Sequence, residues 1–289
     1  LSECVVRRED TRESLKEKVR TATILGTFQS TLTNFRYLSR EWKKNCDEER
    51  LLGVSLTGIM DSPLTNGSKK GLDKLLEELR TVAYETNKEW ADKLGIPVSA
   101  AITCVKPSGT VSQLVDSASG IHARHNPYYI RTVRADNKDP LCKLMKNVGF
   151  PNEVDVTKPE HTTVFSFPFK TPKGAVCRMD MTALEQLELW KVYAESWCEH
   201  KPSVTISVKE DEWVEVAAWV YDHFDSISGI SFLPFSEHVY RQAPYQDCTE
   251  GEYKEALKTM PKNVDWAELS KYESQDYTIA SQEMACTAG

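Results

Sequence analysis

The residues best placed to do chemistry lie in the run KPSGTVS at positions 106–112, where an apolar stretch ends and hydroxyl residues begin. Gly109 lets the backbone approach a ligand closely, because it carries no side chain. Ser108 and Thr110 can hydrogen-bond, and exposed amides at the start of a short helix favour phosphate. The pattern therefore indicates a phosphate site, with helix capping by Ser108 or Thr110 as the open alternative. The P-loop and dinucleotide-binding glycine motifs are both absent.

A second polar run, SGIHARH at positions 119–125, places two histidines and an arginine soon after that junction. It is interpreted either as the lip of a polar site or as a loop whose polar groups are satisfied by solvent or by the core. Metal binding is disfavoured and no metal is expected, because no His-x-x-x-His pair or carboxylate cluster accompanies the histidines. The Asp-x-His-x-x-Gly pattern that ligates cobalt in several cobalamin enzymes does not occur in the chain.

The eight cysteines are spread almost evenly and include no Cys-x-x-Cys pair, which disfavours a zinc site. A disulfide framework is not expected in a chain large enough to have its own core. We therefore expect reduced thiols and a cytoplasmic protein. Cys286 differs from the others because it lies in a polar stretch near the end of the sequence, where a thiol could reach other groups.

Composition narrows the classes of function. The formal net charge of −7 argues against a protein that coats nucleic-acid phosphates, which would usually be basic. The 40% of hydrophobic residues is typical of a globular protein. No apolar run approaches the roughly 20 residues that a membrane span needs, and no secretory signal is visible. We expect no direct nucleic-acid partner and no membrane association.

The elements that must position these residues follow from hydrophobic periodicity. Strands are predicted at 4–8, 98–105, 164–169, 203–208 and 228–233, and helices at 15–35, 72–94, 183–198 and 212–224. Thr182 and Glu185 form a capping box for the third of these helices, and Gly95 ends the second. Strands alternating with helices predict an α/β fold with a mostly parallel sheet. We expect one portion at 1–235, followed by a packed tail at 236–289 that carries the terminal thiol segment, and both ends of the chain look cut.

Five motifs in a fixed order make the chain resemble a known family. They are LSE at 1–3, ERLLGVSLTG at 49–58, KPSGTVS at 106–112, SGIHARH at 119–125, and GISFLP at 229–234 after Phe224-Asp225. The chain resembles the C-terminal part of the catalytic chain of class II, adenosylcobalamin-dependent ribonucleotide reductases, of the monomeric ribonucleoside-triphosphate type. The resemblance covers essentially the whole sequence.

The resemblance implies a fold and a chemistry. The fold would be the C-terminal portion of a ten-stranded α/β barrel made of two half-barrels, incomplete in this chain. Adenosylcobalamin would generate a thiyl radical on a cysteine, and a cysteine pair would supply two electrons as the ribose 2′ hydroxyl leaves as water. The residues implied to bind substrate phosphate are Pro107, Ser108, Gly109, Thr110 and Val111. Cobalamin contacts are implied approximately within 145–206 and 265–289, without individual residues.

The departures from the family pattern limit what this chain can do alone. The radical cysteine of the family lies in an Asn-x-Cys-x-Glu motif, which this sequence lacks. The family tail carries two cysteines a few residues apart, and here only Cys286 is present. The implied partners are a ribonucleoside triphosphate, an N-terminal part or subunit of the same reductase, and a thioredoxin-type reductant that recharges a thiol relay through Cys286. Without the N-terminal part we expect an inactive chain.

Two rival interpretations stay open at this point. The first is a non-catalytic module that binds nucleotide phosphate and has kept only the fold. The second is a class I-like reductase with a separate radical-generating subunit. That class carries adjacent tyrosines in its tail, whereas Tyr272 and Tyr277 are five positions apart, which weighs against it.

Overall fold

The computed structural model describes residues 1–235 and 240–273 of the 289-residue chain. The chain divides into two compact units. The first unit comprises Leu1–Arg124 and Pro172–Ser236, and the second comprises His125–Thr171 and Glu237–Gly289.

The described residues form strands and helices in nearly equal number. The strands are β1 (Ser2–Val5), β2 (Val54–Thr57), β3 (Thr103–Cys104), β4 (Tyr128–Asp136), β5 (Asn152–Val154), β6 (Thr162–Lys170), β7 (Thr205–Val208), β8 (Ser231–Pro234) and β9 (Tyr245–Asp247). The α-helices are α1 (Arg12–Gln29), α2 (Arg40–Glu49), α3 (Leu72–Leu94), α4 (Val111–Leu114), α5 (Pro140–Asn147), α6 (Ala183–Ser196), α7 (Trp213–Asp222) and α8 (Glu250–Thr259). Short 3₁₀ turns follow β2, precede and follow α7, and lie at Trp266–Lys271.

The first unit is built on parallel strands. One sheet has the order β1-β2-β3, with Ser2 opposite Val54 and Val54 opposite Thr103. A second sheet pairs β7 with β8, also in parallel. Helices α1, α3 and α6 cover these strands, and Leu15, Leu79 and Trp190 are fully buried among them. The parallel strands and covering helices agree with the predicted α/β pattern for this unit.

The helix ends follow the signals in the sequence. Helix α3 covers the predicted residues and ends at Gly95, which adopts a left-handed conformation with φ of 64°. Helix α6 begins with the predicted capping box, because Thr182 accepts from the Glu185 amide and the Glu185 carboxylate accepts from the Thr182 amide. These local signals set the C-terminal end of α3 and the N-terminal end of α6.

The predicted strand at 98–105 and the predicted helix at 15–35 are both shorter in the structure. The run at 98–105 contains only the two-residue strand β3, although its extended backbone also bonds to β2 through Val54, whose amide donates to Ile102. Helix α1 ends at Gln29 and not near residue 35, and Leu25 and Leu32 are exposed. Apolar periodicity therefore continued past the point where the helix stops.

The second unit contains a four-stranded antiparallel sheet of order β5-β6-β4-β9. The prediction that the strand at 164–169 belongs to a parallel sheet is wrong, because β4, which the sequence analysis did not identify, pairs with it in antiparallel register. A small core of Cys142, Met145, Phe150 and Phe165 lies within this unit.

The first unit ends close to residue 235, and the structure groups the other segments of the chain by their contacts. The structure joins 125–171 to the tail, and β9 of the tail pairs with β4. The assignment of the whole of 1–235 to a reductase barrel stays a prediction.

Candidate functional site

The 106–111 loop lies in the first unit, between β3 and α4. Its first amide, on Lys106, donates to the Ser55 hydroxyl of β2 at 3.0 Å. Just before it, the Val105 carbonyl accepts from the Ser203 amide. The entry of the loop is thus held by strand β2 and by the segment that leads into β7.

Ser108, in the middle of the loop, is buried and anchors the loop to the protein through hydrogen bonds. Ser108 is 4% exposed, whereas Gly109 and Thr110, the two turn residues that follow it, are exposed. The Ser108 amide donates to the Ser119 hydroxyl at 3.1 Å, and the Ser108 hydroxyl donates to Glu3 Oε2 at 2.8 Å. The same hydroxyl accepts from the Ser112 amide at 3.2 Å. The polar groups of Ser108 are therefore used within the protein.

The outer side of the loop presents backbone donors. Gly109, Thr110 and Val111 are exposed, and among the described residues no acceptor pairs with their amides. A Cβ atom built on Gly109 would meet nothing within 4 Å, so the space in front of the loop is open. Three consecutive exposed residues whose amides lack an internal acceptor offer donors that an anion such as a phosphate could use.

A buried charge network holds the segment that follows the loop. Arg124 forms a two-pronged pair with Asp61, with Nε–Oδ1 and Nη2–Oδ2 distances of 2.8 Å, and both side chains are 3% exposed. Arg124 Nη1 also donates to Asp116 Oδ1 at 2.8 Å. Asp116 has a left-handed backbone with φ of 46°, and Arg7 donates to its carbonyl at 2.8 Å. These contacts fix the chain just beyond α4.

Backbone packing brings this segment against the end of β2. The Ala118 carbonyl accepts from the Gly58 amide at 2.8 Å and from the Thr57 hydroxyl at 3.1 Å. Gly58 has φ of 76°, and a Cβ there would lie 2.5 Å from the Val6 carbonyl oxygen. Only glycine fits both the conformation and the space. The close approach keeps the returning chain beside the 106–111 loop.

The buried side of the 119–125 run is also held by His122. Its Nδ1 lies 3.0 Å from the Ser119 carbonyl, and its Nε2 accepts from the Thr205 amide at 3.0 Å. Burial lowers the pKa of His122, which favours the neutral ring that these two bonds require. Of the two interpretations of the 119–125 run, the structure supports core-satisfied groups for His122 and Arg124.

His125 is not part of this arrangement, since it belongs to the second unit. There its Nε2 lies 2.6 Å from Asp247 Oδ1, and its ring stacks on Tyr245 with centroids 5.3 Å apart. The two histidines that the sequence places three residues apart thus serve different units.

Cys286 lies outside the described residues. All described cysteines are free thiols, and burial raises the pKa of Cys4 to about 12 and that of Cys104 to about 11. Residues 1–235 and 240–273 contain no group of three His, Cys, Asp or Glu side chains that could hold a metal ion. Within the same ranges, no helix has the length and apolar character needed to cross a membrane.

Sequence reasoning missed Glu3 as part of the site. The sequence marks Glu3 only as part of the LSE motif, because no spacing rule connects a strand residue with a loop 105 positions later. The parallel pairing of β1 with β2 supplies the connection.

No family model matches the chain. Sequence relatives are nevertheless clear. An adenosylcobalamin-dependent ribonucleoside-triphosphate reductase of Euglena gracilis is 28% identical over 257 residues, which are 88% of this chain and 35% of that protein. A reductase of the same name from Lactobacillus gasseri is 26% identical over 251 residues, 77% of this chain and 34% of that protein. The chain spans about a third of the length of the curated relatives it matches.

One solved structure has a similar fold. The crystal structure of a B-12 dependent (class II) ribonucleotide reductase matches with a TM-score of 0.78 at 22% identity, over 91% of this chain and 40% of that one. This likeness confirms the mixed α/β fold. Together with the sequence relatives, it confirms the resemblance inferred from the five motifs.

Proposed function

We propose that the chain is the C-terminal segment of the catalytic polypeptide of an adenosylcobalamin-dependent ribonucleoside-triphosphate reductase. Five motifs in fixed order and the named relatives support this assignment. The parallel strands β1, β2, β3, β7 and β8 would belong to the ten-stranded α/β barrel of such an enzyme. The overall reaction replaces the ribose 2′ hydroxyl by hydrogen, releases water and oxidises two thiols to a disulfide.

The observation that carries the proposal is the orientation of the 106–111 loop. Ser108 is buried and hydrogen-bonded within the protein, while Gly109, Thr110 and Val111 are exposed and their amides have no acceptor among the described residues. In this proposal the three amides bind the triphosphate oxygens of the substrate. Hydrogen bonds of amides to a charged acceptor are stronger than those to a neutral one. Pro107 and Ser108 then shape the loop and do not themselves supply donors to the phosphate.

The radical cysteine would come from polypeptide outside this sequence, since no Asn-x-Cys-x-Glu motif occurs in the 289 residues. Adenosylcobalamin supplies the radical that starts the chemistry when it is bound. No residue of this chain is assigned to the cofactor.

A complementation experiment tests the function. The 289-residue chain is mixed with a polypeptide that carries the Asn-x-Cys-x-Glu motif and the rest of the reductase, together with adenosylcobalamin and a dithiol. We expect deoxynucleotide formation by the mixture and none by the chain alone. Turnover by the isolated chain would contradict the proposal. Triphosphate binding without any reconstituted turnover would instead favour the non-catalytic module.

We further propose that Cys286 relays electrons from a thioredoxin-type reductant, on the strength of its polar sequence surroundings at 281–285. Thiol exchange requires access for both the reductant and the oxidised pair. In the reconstituted enzyme, Cys286→Ser should allow one turnover from the pre-reduced state and then stall with thioredoxin as sole reductant. A small dithiol should partly restore turnover, and full thioredoxin-driven turnover would refute the relay.

Free thiols at all seven described cysteines support a cytoplasmic location.

A further inference from the structure

Strand β1 contributes a carboxylate to the 106–111 loop from far away in the sequence. Glu3 Oε2 accepts the Ser108 hydroxyl at 2.8 Å, across 105 positions. Ser108 is the buried residue of the loop, and its hydroxyl also accepts from the Ser112 amide. The Glu3 carboxylate thus holds the Ser108 hydroxyl, and this hydroxyl in turn accepts from the Ser112 amide in α4.

The sheet register explains why Glu3 can reach the loop. Glu3 lies opposite Ser55, and Ser55 lies opposite Cys104, so the three side chains project from the same face of the sheet. Ser55 accepts from the Lys106 amide at 3.0 Å. Neighbouring side chains on β1 and β2 therefore hold two successive points of the loop, Ser108 and Lys106.

Glu3 carries a negative charge close to a loop that is proposed to bind an anion. Among the described residues, no Lys, Arg or His nitrogen forms an ion pair with this carboxylate. A carboxylate without a counter-charge beside an anion site repels the anion, so attraction to phosphate cannot account for its presence. The hydrogen bond that Glu3 accepts from Ser108 accounts for the presence of the carboxylate at this position.

We propose that Glu3 is a positioning residue that holds Ser108 in its buried position and thereby keeps the amides of the exposed residues Gly109, Thr110 and Val111 available to an anion. The inference rests on the proposed function for the identity of the anion. Without the bond, the loop populates other conformations, and the apparent affinity falls in proportion to the fraction that stays competent. Glu3 acts through Ser108 and does not itself contact the phosphate.

The test compares variants of the full 289-residue chain by calorimetric titration with inorganic tripolyphosphate. Glu3→Ala and Ser108→Ala should each weaken binding by about tenfold, as expected for loss of a hydrogen bond to a charged group. Glu3→Gln should stay within about threefold of the parent, because its amide oxygen still accepts the Ser108 hydroxyl. The double variant Glu3→Ala/Ser108→Ala should be no weaker than the weaker single variant. Glu9→Ala removes an exposed carboxylate elsewhere and is the matched control.

Three results would overturn the proposal: unchanged binding by Glu3→Ala, a loss in Glu3→Gln equal to that in Glu3→Ala, or additive losses in the double variant. The unfolding midpoint shows whether Glu3→Ala folds. If it does not fold, the proposal is tested with the other two variants: unchanged binding by Ser108→Ala, or a loss in Glu3→Gln as large as that in Ser108→Ala, would then overturn it.

A second readout separates this proposal from the proposed function. Amide resonances of Gly109, Thr110 and Val111 are recorded in the absence of anion. If the parent chain does not bind tripolyphosphate but these resonances shift in Glu3→Ala and not in Glu9→Ala, the phosphate role fails and the positioning role stands. If the resonances do not shift, the positioning role fails.

Discussion

Two loops of this protein are each organised around a carboxylate, and they use it in opposite ways. In the 155–158 loop of the second unit, Asp155 Oδ1 accepts from the Thr157 amide at 2.7 Å and the Lys158 amide at 2.9 Å. Its Oδ2 accepts from Arg134 Nε at 2.7 Å. In the 106–111 loop, the carboxylate of Glu3 lies behind the turn and bonds only to the Ser108 hydroxyl among the described residues.

The difference indicates which loop can take an external anion. Hydrogen bonds from Thr157 and Lys158 hold the pKa of Asp155 well below its usual range, so the loop carries its own permanent anion. The amides of Gly109, Thr110 and Val111 have no such internal acceptor in the described part of the chain. Backbone donors alone do not make a binding site, and their freedom from internal acceptors is what distinguishes the 106–111 loop.

The largest effect is expected from the buried pair that supports this open loop. Arg124→Ala leaves Asp61 without its partner in a buried site, and removing one member of a buried ion pair lowers the free energy of unfolding by about 3–5 kcal/mol. Arg134→Ala in the second unit should have a much smaller effect, because Arg134 is 38% exposed and Asp155 keeps its amide donors. Urea denaturation of both variants measures the difference. Equal losses would show that the two loops are supported alike.

The next effect concerns ligand approach. Gly109→Val should raise the KM for nucleotide in the reconstituted enzyme by about tenfold or more, because the branched side chain blocks a charge-assisted hydrogen bond. Cobalamin affinity should stay the same. The space around Gly109 is open, so the fold should tolerate valine.

Gly229→Val is the matched control for that substitution, since a Cβ there also meets nothing within 4 Å. It should leave the KM unchanged. An unchanged KM in a folded Gly109→Val enzyme would contradict phosphate binding by the loop and leave Ser108, whose hydroxyl accepts from the Ser112 amide, with a capping role only.

The smallest effect is a pH dependence of stability. Burial lowers the pKa of His122 below 6.5, so the unfolded chain binds more protons than the folded chain once the pH falls below 6.5. The free energy of unfolding should therefore decrease as the pH falls through this window, and the decrease should be complete below the folded pKa. His122→Gln should flatten that slope, whereas His161→Gln, on an exposed residue, should not. Denaturation curves between pH 5 and 8 measure it.

Local signals in the sequence predicted local structure well. Helix α3 matched its periodicity, and Gly95 ended it. Helix α2 was missed because it buries no residue and is stabilised by its Ser39 cap and by the Lys43–Asp47 pair. Polar stabilisation of this kind leaves no apolar stripe for periodicity to detect.

The site was predictable only in part. The KPSGTVS run identified the loop, since a glycine flanked by hydroxyl residues after an apolar run is a local pattern. The inward anchor of Ser108 depends on Glu3, and the Arg124 pair depends on Asp61, 63 positions earlier. Such partners are set by strand order and register, which hydrophobic spacing does not encode.

The span of these contacts also has a kinetic meaning. The 155–158 loop closes through bonds between residues two and three positions apart, which can form early in folding. The 106–111 loop needs Ser108 to meet Glu3 across 105 positions and Arg7 to meet Asp116 across 109. Contacts of such long range form slowly, because a large loop must close before they are made. The appearance of anion binding during refolding would therefore mark the late steps at which β1 has joined the sheet.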